Sequence, residues 1–302
     1  MKELGRLITA MVTPFQDDGS IDFEQTKKLA RALVASGSDG IVVAGTTGES
    51  PTVTWEEEHA LFMAVKEAVG NSARVIAGTG SNSTAEAVEN TIKAEKLGVD
   101  AALLVVPYYN RPTQEGLYRH FKAVADATTL PIILYNVPSR TATSMSADTT
   151  IRLSKISNIV GTKEASGNLG EIARIIDETL KIRPDFTVWS GNDSDILPMM
   201  AIGAHGVISV ASHLVGTQIK QMMESFVSGD IAMAAAIHRR LTPIFNNLFA
   251  VANPIPVKYA LNYIGFRVGG LRLPLTEADD KTAALIRDTL AGIHVDLPRY
   301  DR

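Results

Sequence analysis

The stretch AALLVVPYYNRPTQEGLYRHFKAVADATTLPIILYNVPSR (residues 101–140) contains the pattern that decides the fold. It begins with a run of small and aliphatic residues, AALLVV, and ends with a second apolar run, PIILYN. Both runs are apolar throughout rather than alternating, which is typical of strands buried on both faces of a parallel sheet. Between them, EGLYRHFKAVADAT (115–128) has its apolar residues at helical spacing. The stretch therefore predicts one strand–helix–strand unit.

The same alternation of apolar runs and helical segments recurs along most of the chain. Eight runs have this character, at residues 7–15, 41–50, 75–81, 101–109, 131–140, 159–167, 187–193 and 205–213. Eight strand–helix repeats predict an α/β fold, a (β/α)₈ TIM barrel, over residues 1–227. The alternative is an open doubly wound sheet, but no G-x-G-x-x-G opens the first helix.

The last part of the chain has a different pattern. Two segments, GDIAMAAAIHRRLTPIFNNLFAVA and DDKTAALIRDTLAGIH, have helical periodicity, and NPIPVKYALNYIG and RLPLT join them. We therefore predict a C-terminal helical domain over residues 228–302, added to the barrel.

Composition excludes several classes of function. The 302 residues carry a net charge of −4, which gives no electrostatic reason to expect nucleic acid or an anionic membrane as a partner. The chain has no cysteine, so disulfides, thiolate metal sites and a cysteine nucleophile are excluded. The N-terminal residues lack the apolar region of a signal peptide, and we expect a cytoplasmic protein.

Active sites of such barrels lie at the carboxyl ends of the strands, so the polar residues there are the candidates for chemistry. Possible metal ligands are few and each follows a different run, which argues against a metal site: Glu49, Glu164, Asp193 and His213. No G-x-S-x-G elbow is present, so an Asp193–His213 pair is interpreted as structural. Glu164 follows Lys163 and points to the opposite side of an ideal strand, so it is interpreted as structural as well. The remaining set comprises a lysine, tyrosines, adjacent threonines and an arginine: Lys163, Tyr108, Tyr109, Tyr135, Thr46, Thr47 and Arg140.

Lys163 ends the apolar run IVGTK, where burying its ammonium group without a partner would be costly. An apolar environment lowers the pKa of a lysine and favours the neutral amine, which attacks ketones to form imines. Tyrosine and threonine hydroxyls relay protons, and an arginine binds a carboxylate through two hydrogen bonds. Each residue also has a structural interpretation: a lysine reaching solvent, a packed tyrosine, or a threonine turn. The residues alone leave both interpretations open.

At these positions the chain resembles the dihydrodipicolinate synthase / N-acetylneuraminate lyase family of class I aldolases. The resemblance extends from TAMVTPF to NPIPVK and LRLPLT, essentially the whole length. Seven stretches carry it, and in this order they are specific: GTTGESPT, VIAGTGSN, PYYNRPTQEGLYRHF, LYNVPSRT, GTKEASGN, SGND and HGVISV. Relatives with lyase or sugar-acid aldolase activity tend to have GSTGE and lack the arginine of VPSRT, so the sequence favours a synthase over those activities.

The resemblance implies a role for each site residue. Lys163 forms a Schiff base with pyruvate, and Tyr135 is the central proton donor and acceptor. Thr46 and Tyr109 complete the hydroxyl relay. The pyruvate carboxylate is held by Thr47 and the backbone of Ile208, and the carboxylate of L-aspartate 4-semialdehyde by Arg140.

The resemblance also implies that no metal or organic cofactor is needed and that the protein is a homotetramer, a dimer of tight dimers. One of the paired tyrosines reaches across the tight-dimer interface. The PYYNRP match favours Tyr108 for that position, although the sequence does not decide between Tyr108 and Tyr109.

Many relatives bind L-lysine at the tight-dimer interface. The matching residues here are Ser50, Pro51, Trp55, Glu58, Asn82, Glu86 and Tyr108. Lysine-inhibited bacterial relatives carry histidines at the positions of Trp55 and Glu58, whereas plant relatives carry Trp at the first of these positions. His59 lies about 100° around the helix from Glu58. We therefore expect weak or absent inhibition by lysine.

Overall fold

The computed structural model describes residues 4–297. Eight parallel strands follow one another in chain order around a closed barrel, which confirms the predicted fold class. The strands are β1 (Leu7–Ala10), β2 (Gly40–Val43), β3 (Arg74–Gly78), β4 (Ala101–Val105), β5 (Ile132–Asn136), β6 (Ile159–Glu164), β7 (Thr187–Ser190) and β8 (Gly206–Ser209). Each predicted run overlaps one of these strands; β2 and β3 begin one residue before their runs, and most of the remaining run residues lie in the segment that follows the strand.

Helices separate the strands and continue after the last one. They are α1 (Phe23–Ala35), α2 (Trp55–Val69), α3 (Thr84–Lys96), α4 (Gln114–Asp126), α5 (Pro138–Thr141), α6 (Ala147–Leu153), α7 (Leu169–Ile182), α8 (Ile196–Ala201), α9 (Ser212–Val227), α10 (Ile231–Asn247), α11 (Ile255–Tyr263) and α12 (Asp280–Ala291). None of the helices in residues 4–297 has both the length and the apolar character needed to cross a bilayer.

Local sequence signals explain where several helices begin. Thr54 and Glu57 form a reciprocal capping box at the start of α2, and the Ser83 side chain caps α3. Helix α11 lies in a segment that the sequence presented only as a connection. Its prolines are compatible with a helix, because Pro254 precedes it and Pro256 lies in its first turn, where no backbone N–H is needed.

The chain divides into two compact units, which we describe separately. One comprises the chain up to Val75 together with the chain from Ser209 onward, and the other comprises Ile76–Ile208. This division groups the C-terminal helices with the first strands. The predicted boundary between residues 227 and 228 follows a different criterion, the end of the strand–helix alternation, and stays a prediction.

In the unit Ile76–Ile208, strands β4 to β7 lie side by side in parallel register. Their outward side chains pack against the helices in one apolar core. Fully buried members of this core are Leu104, Leu117, Phe121, Val124, Ile132, Leu134, Leu153, Ile159 and Met199. This packing fixes the carboxyl ends of β5 and β6, where Tyr135 and Lys163 lie.

In the other unit, β1 pairs with β2, and helices α9 to α12 accompany them. Buried hydroxyls connect the two parts of the chain: Thr9 Oγ1 lies 2.6 Å from Ser38 Oγ and 2.7 Å from Ser212 Oγ. Residues more than 200 positions apart in sequence are therefore joined in one polar contact at the centre of this unit.

Gly161 of β6 generates a stability prediction. A Cβ atom there would overlap the Thr187 carbonyl oxygen and lie 2.7 Å from the Trp189 ring. We expect Gly161→Ala to lower the free energy of unfolding by about 2–3 kcal/mol, because neither neighbour can move away freely. Gly170 occupies an exposed position of α7, and Gly170→Ala should raise the free energy of unfolding by up to about 1 kcal/mol. Urea unfolding followed by circular dichroism measures both, and equal effects would contradict the packing argument.

Candidate active site

Strand register brings Tyr135 and Lys163 together. Tyr135 of β5 is level with Lys163 of β6, which is level with Trp189 of β7. In-register neighbours on parallel strands project from the same face of the sheet. The Lys163 Nζ atom lies 4.1 Å from the centroid of the Tyr135 ring. The amine therefore lies against the aromatic ring of the tyrosine that the sequence predicted to act with it.

The Lys163 amine is desolvated. The residue is only 5% exposed, and burial lowers the pKa of its amine to about 7. The Asp193 carboxylate opposes this change and Arg140 adds to it. Within residues 4–297 Lys163 forms no ion pair, so no carboxylate contact holds the amine in its charged form. A substantial fraction of this lysine is neutral near pH 7 and able to act as a nucleophile.

Gly191 makes room for the lysine stem. A Cβ atom at this position would lie 3.2 Å from Lys163 Cε and 2.8 Å from Ala165 Cβ. Its backbone N–H also donates to the Glu164 carbonyl oxygen. The glycine of the SGND motif therefore lets the β7 loop approach the amine closely.

Asn136 and Glu164 support the site from the opposite face of the sheet. Asn136 Nδ2 lies 3.3 Å from Glu164 Oε2, and the Ser166 hydroxyl donates to the same oxygen at 3.0 Å. Asn136 Oδ1 accepts from the Met145 N–H at 3.0 Å, which fastens the loop after β5. Burial raises the pKa of Glu164 to about 7, opposed by the hydrogen bonds from Ser166 and Asn136. Glu164 is a structural residue, as its place in the strand predicted.

Arg140 lies on α5, a single helical turn that begins at Pro138. Its side chain is exposed, and it is close enough to Lys163 to lower the pKa of the amine. The turn ends at Ala142 in the left-handed conformation. Asn136 fastens the far end of this loop, so Arg140 extends from a short, restrained segment.

The two adjacent tyrosines differ in their exposure. Tyr109 is 88% exposed, with a left-handed backbone (φ 72°), whereas Tyr108 is 39% exposed. Their loop is tied to the loop after β3: Asn82 Nδ2 donates to the Tyr108 carbonyl oxygen at 3.2 Å, and Asn110 Nδ2 donates to the Asn82 carbonyl oxygen at 2.8 Å. The Tyr109 side chain therefore makes little contact with the rest of the described chain.

The loop after β2 carries Thr46 and Thr47, in the other unit. Thr47 is buried, and its hydroxyl oxygen accepts a hydrogen bond from Asn253 Nδ2 at 2.9 Å. Because the oxygen accepts from Asn253, the hydroxyl proton is free to be donated elsewhere. Thr46 is half-buried, and its carbonyl oxygen accepts from the Glu49 N–H to close a tight turn.

Ile208 in β8 and His213 after it are both buried. His213 Nε2 accepts from the Val12 N–H and its Nδ1 faces the Val210 carbonyl oxygen at 2.8 Å, so both ring nitrogens bind backbone groups. Burial lowers the pKa of His213 to about 4. The imidazole therefore has no nitrogen left for Asp193, and the pairing interpreted from the sequence is replaced by backbone contacts.

The residues matched to the lysine site fall into both units. Ser50 and Pro51 lie in a 3₁₀ turn before α2, Trp55 is the first residue of α2, and Glu58 is buried one turn later. Burial raises the pKa of Glu58 to about 9.

In the other unit, the Ser81 hydroxyl donates to Glu86 Oε2, and Asn82 holds the Tyr108 backbone. The matched residues on that side, Asn82, Glu86 and Tyr108, therefore belong to one hydrogen-bonded loop region.

Comparison with known proteins identifies the family. A family model described as the dihydrodipicolinate synthetase family matches residues 3–292. The chain belongs to this family. A 4-hydroxy-tetrahydrodipicolinate synthase of Dehalococcoides mccartyi is 73% identical over 298 residues, 99% of each chain.

Solved structures agree with this assignment. The dihydrodipicolinate synthase of Cyanidioschyzon merolae, determined with lysine bound, has a TM-score of 0.94 at 49% identity and covers 96% of this chain and 98% of its own. A structure described as the first monomeric dihydrodipicolinate synthase variant has a TM-score of 0.93 at 42% identity, with 95% and 96% covered.

Membership of the dihydrodipicolinate synthetase family confirms the resemblance drawn from the motifs, and the chain is an enzyme, a lyase. The names of the relatives favour a synthase over a sugar-acid aldolase. The roles of the individual residues stay predictions.

Sequence reasoning from the strand ends missed Asn253, which contacts Thr47, and Lys258, which pairs with Glu49. The NPIPVK motif contains both but was noted only as part of the family pattern.

Lys163 generates a prediction on stability and pH. Its pKa is about 7 in the folded chain against 10.5 as the ordinary value, so between these values the unfolded chain binds more protons. This residue's contribution to stability therefore rises with pH from about 7 to 10. We expect Lys163→Met to be more stable than the parent by a few kcal/mol at pH 6–7, with a difference that shrinks at pH 9.

Urea unfolding at pH 6, 7, 8 and 9 measures this difference. Lys28→Met, which replaces an exposed lysine of α1, is the control and should show no such trend. A Lys163→Met difference that does not change with pH would contradict a desolvated amine.

Proposed function

We propose that this enzyme condenses pyruvate with L-aspartate 4-semialdehyde to give 4-hydroxy-tetrahydrodipicolinate, in the diaminopimelate branch of L-lysine biosynthesis. The observation that carries the proposal is the buried Lys163 amine in contact with Tyr135. A relative named for this activity is 73% identical to the chain over nearly its full length.

The lowered pKa of Lys163 supports the first chemical step. The neutral amine attacks the pyruvate ketone, and loss of one water gives an imine. The imine withdraws electrons from the adjacent methyl carbon, which loses a proton and becomes an enamine. The enamine carbon then bonds to the aldehyde carbon of the second substrate. Finally, the amine of that substrate attacks the imine carbon, closes the six-membered ring and releases Lys163.

Proton transfers in these steps need hydroxyl groups. The Tyr135 ring lies against the amine, which places a hydroxyl-bearing side chain beside it, and we assign Tyr135 the central donor and acceptor role. Thr46 and Tyr109 complete the relay in this proposal. The Thr47 hydroxyl, whose oxygen already accepts from Asn253, has its proton available for the pyruvate carboxylate, with the Ile208 backbone as a second donor. Arg140, exposed on its restrained turn, binds the carboxylate of aspartate semialdehyde.

A homotetramer in the cytoplasm, working without metal or organic cofactor, remains part of the proposal. The exposure of Tyr109 supports assembly, because a relay residue that makes little contact with its own protomer needs a neighbouring subunit around it. This favours Tyr109 over Tyr108 as the tyrosine that crosses the interface. The solved monomeric variant is the precedent for the opposite outcome.

A second candidate function uses the same chemistry with another aldehyde. An N-acetylneuraminate lyase or 2-keto-3-deoxy sugar-acid aldolase would form the same lysine imine. The GTTGE loop and Arg140 favour the synthase, because the arginine offers a planar pair of donors to the carboxylate of a small semialdehyde.

Borohydride trapping tests this proposal. We expect pyruvate with borohydride to place one stable adduct on the chain, at Lys163 in peptide mass mapping, and Lys163→Ala to take none. Lys258, which is equally buried but paired with Glu49, is the internal comparison and should stay unlabelled. Turnover with aspartate semialdehyde, and not with N-acetylneuraminate, is the expected specificity. An adduct on any other lysine would overturn the mechanism. Turnover of N-acetylneuraminate without turnover of aspartate semialdehyde would favour the lyase activity over the synthase activity.

Feedback by lysine is a separate prediction. Glu58 is buried and its raised pKa keeps its carboxyl group neutral near pH 7, so it offers no carboxylate to a free ammonium group. Together with the absence of the two histidines, this leads us to expect little inhibition by millimolar L-lysine in a steady-state assay. The C. merolae enzyme, whose structure was determined with lysine bound, is the comparison in the same assay. Strong inhibition at sub-millimolar lysine would refute the prediction.

A further inference from the structure

We infer that Lys258 is a positioning residue, which holds the Thr46–Thr47 turn in place for the keto-acid carboxylate by pairing with Glu49 beneath it. The inference rests on the proposed function for the identity of that ligand. All of the residues involved belong to the unit that contains β1, β2 and the C-terminal helices.

The turn after β2 is tightly wound. The Gly48 N–H donates to the Gly45 carbonyl oxygen, and the Glu49 N–H donates to the Thr46 carbonyl oxygen. Glu49 has a left-handed backbone, with φ 59° and ψ 35°, which a residue other than glycine adopts at a cost. A conformation of this kind persists only where its surroundings enforce it.

The Glu49 side chain supplies that enforcement. Its carboxylate is almost completely buried, with Oε1 2.6 Å from Lys258 Nζ and Oε2 accepting the Arg272 N–H at 3.0 Å. Both side chains of the ion pair are 1% exposed. A buried ion pair of this kind is costly to break, because the remaining charge has no water and no partner.

Lys258 is itself fixed from other directions. Its ammonium group donates to the Gly270 carbonyl oxygen at 2.7 Å and lies 4.1 Å from the centroid of the Phe15 ring. Helix α11 supplies the residue, so its backbone is held in regular hydrogen bonding. The lysine therefore presents its charge to Glu49 from a rigid element.

Arg272 extends the support to the far end of the loop. Its guanidinium group binds the Glu57 carboxylate through two hydrogen bonds, at 2.6 and 2.7 Å, and also donates to the Thr52 carbonyl oxygen at 2.7 Å. Glu57 belongs to the capping box of α2. The turn is thus fastened at Glu49 and again at its exit, and the Thr47 hydroxyl oxygen accepts a further hydrogen bond from Asn253.

The role is positional because the Lys258 ammonium group is occupied by its own partners. Glu49, Gly270 and Phe15 together surround it. Its effect on a ligand must therefore pass through the turn. Small displacements of binding groups are enough to change affinity or rate strongly, even when the altered residue does not touch the ligand.

The test compares pyruvate binding in Lys258→Met and Glu49→Gln/Lys258→Met with the parent enzyme. The single variant leaves a buried carboxylate unpaired, and the double variant removes both charges, so it remains informative if the single variant folds poorly. We expect the pyruvate concentration for half-maximal borohydride trapping, and the pyruvate KM, to rise about tenfold or more in both. The KM for aspartate semialdehyde should change little.

Lys220→Met is the matched control. Lys220 forms an ion pair with Asp39 in the same unit, at the segment that precedes β2 rather than follows it. This variant loses an ion pair that is more exposed, with side chains 38% and 29% exposed, and should keep the parent KM for pyruvate. If it weakens pyruvate binding as much as Lys258→Met does, the effect is general destabilisation and the inference is wrong.

The outcomes separate the inference from the proposed function. Absence of an adduct on Lys163 in the parent enzyme refutes the proposed function and the inference with it. A normal adduct in the parent, with an unchanged pyruvate KM in the folded Lys258 variants, refutes the inference alone. A fall in kcat without a change in KM also refutes it, because loss of folded enzyme alone produces that result.

Discussion

The desolvation of one amine is the constraint on which the rest of the site depends. Lys163 lies where a strand that is buried along its length meets the loop that follows it, so its amine enters an apolar environment with no ion pair in the described chain. This arrangement costs stability, because the charged form of the amine loses its hydration. The same cost favours the neutral amine at physiological pH, which is the form that attacks a ketone.

Two buried lysines of this chain differ in the carboxylate groups that lie near them. Lys258 is as deeply buried as Lys163, yet it is 2.6 Å from a carboxylate oxygen and donates to a backbone carbonyl. Burial lowers the pKa of Lys258 as well, but the Glu49 carboxylate opposes that change directly. For Lys163, the Asp193 carboxylate raises the pKa of the amine only through a longer-range interaction, and the Arg140 guanidinium group lowers it further. The distance to the nearest carboxylate therefore decides whether a buried lysine amine is held in an ion pair or is left to lose its proton more easily.

The sequence predicted those features that depend on local pattern. Strands of the barrel are continuous apolar runs because both of their faces are buried, and this is visible without any knowledge of the partner strands. The contact between Lys163 and Tyr135 follows from two strand ends that are adjacent in a parallel sheet. Glu164 was predicted to be structural from the alternation of side chains along a strand, and its bonds with Asn136 and Ser166 have that character.

Features that depend on distant parts of the chain could not be predicted in this way. Lys258, the partner of Glu49, lies 209 positions later in the chain. It belongs to α11, a helix that the sequence presented only as a connection. Asn253 binds Thr47 from the same segment, across 206 positions. Nothing in the composition of either segment identifies the other, because a single buried contact leaves no periodic signal.

The polar contacts of this unit suggest why the chain continues beyond its last strand. A loop that displays two hydroxyls needs a fixed backbone, and its own turn includes a strained left-handed residue at Glu49. Short-range hydrogen bonds within the turn cannot prevent it from opening, since they would be exchanged for bonds to water at little cost. A buried ion pair can prevent opening, because separating its charges leaves each without a partner. The C-terminal helices supply that cation, so they belong to the architecture of the site although they contribute no strand to the barrel.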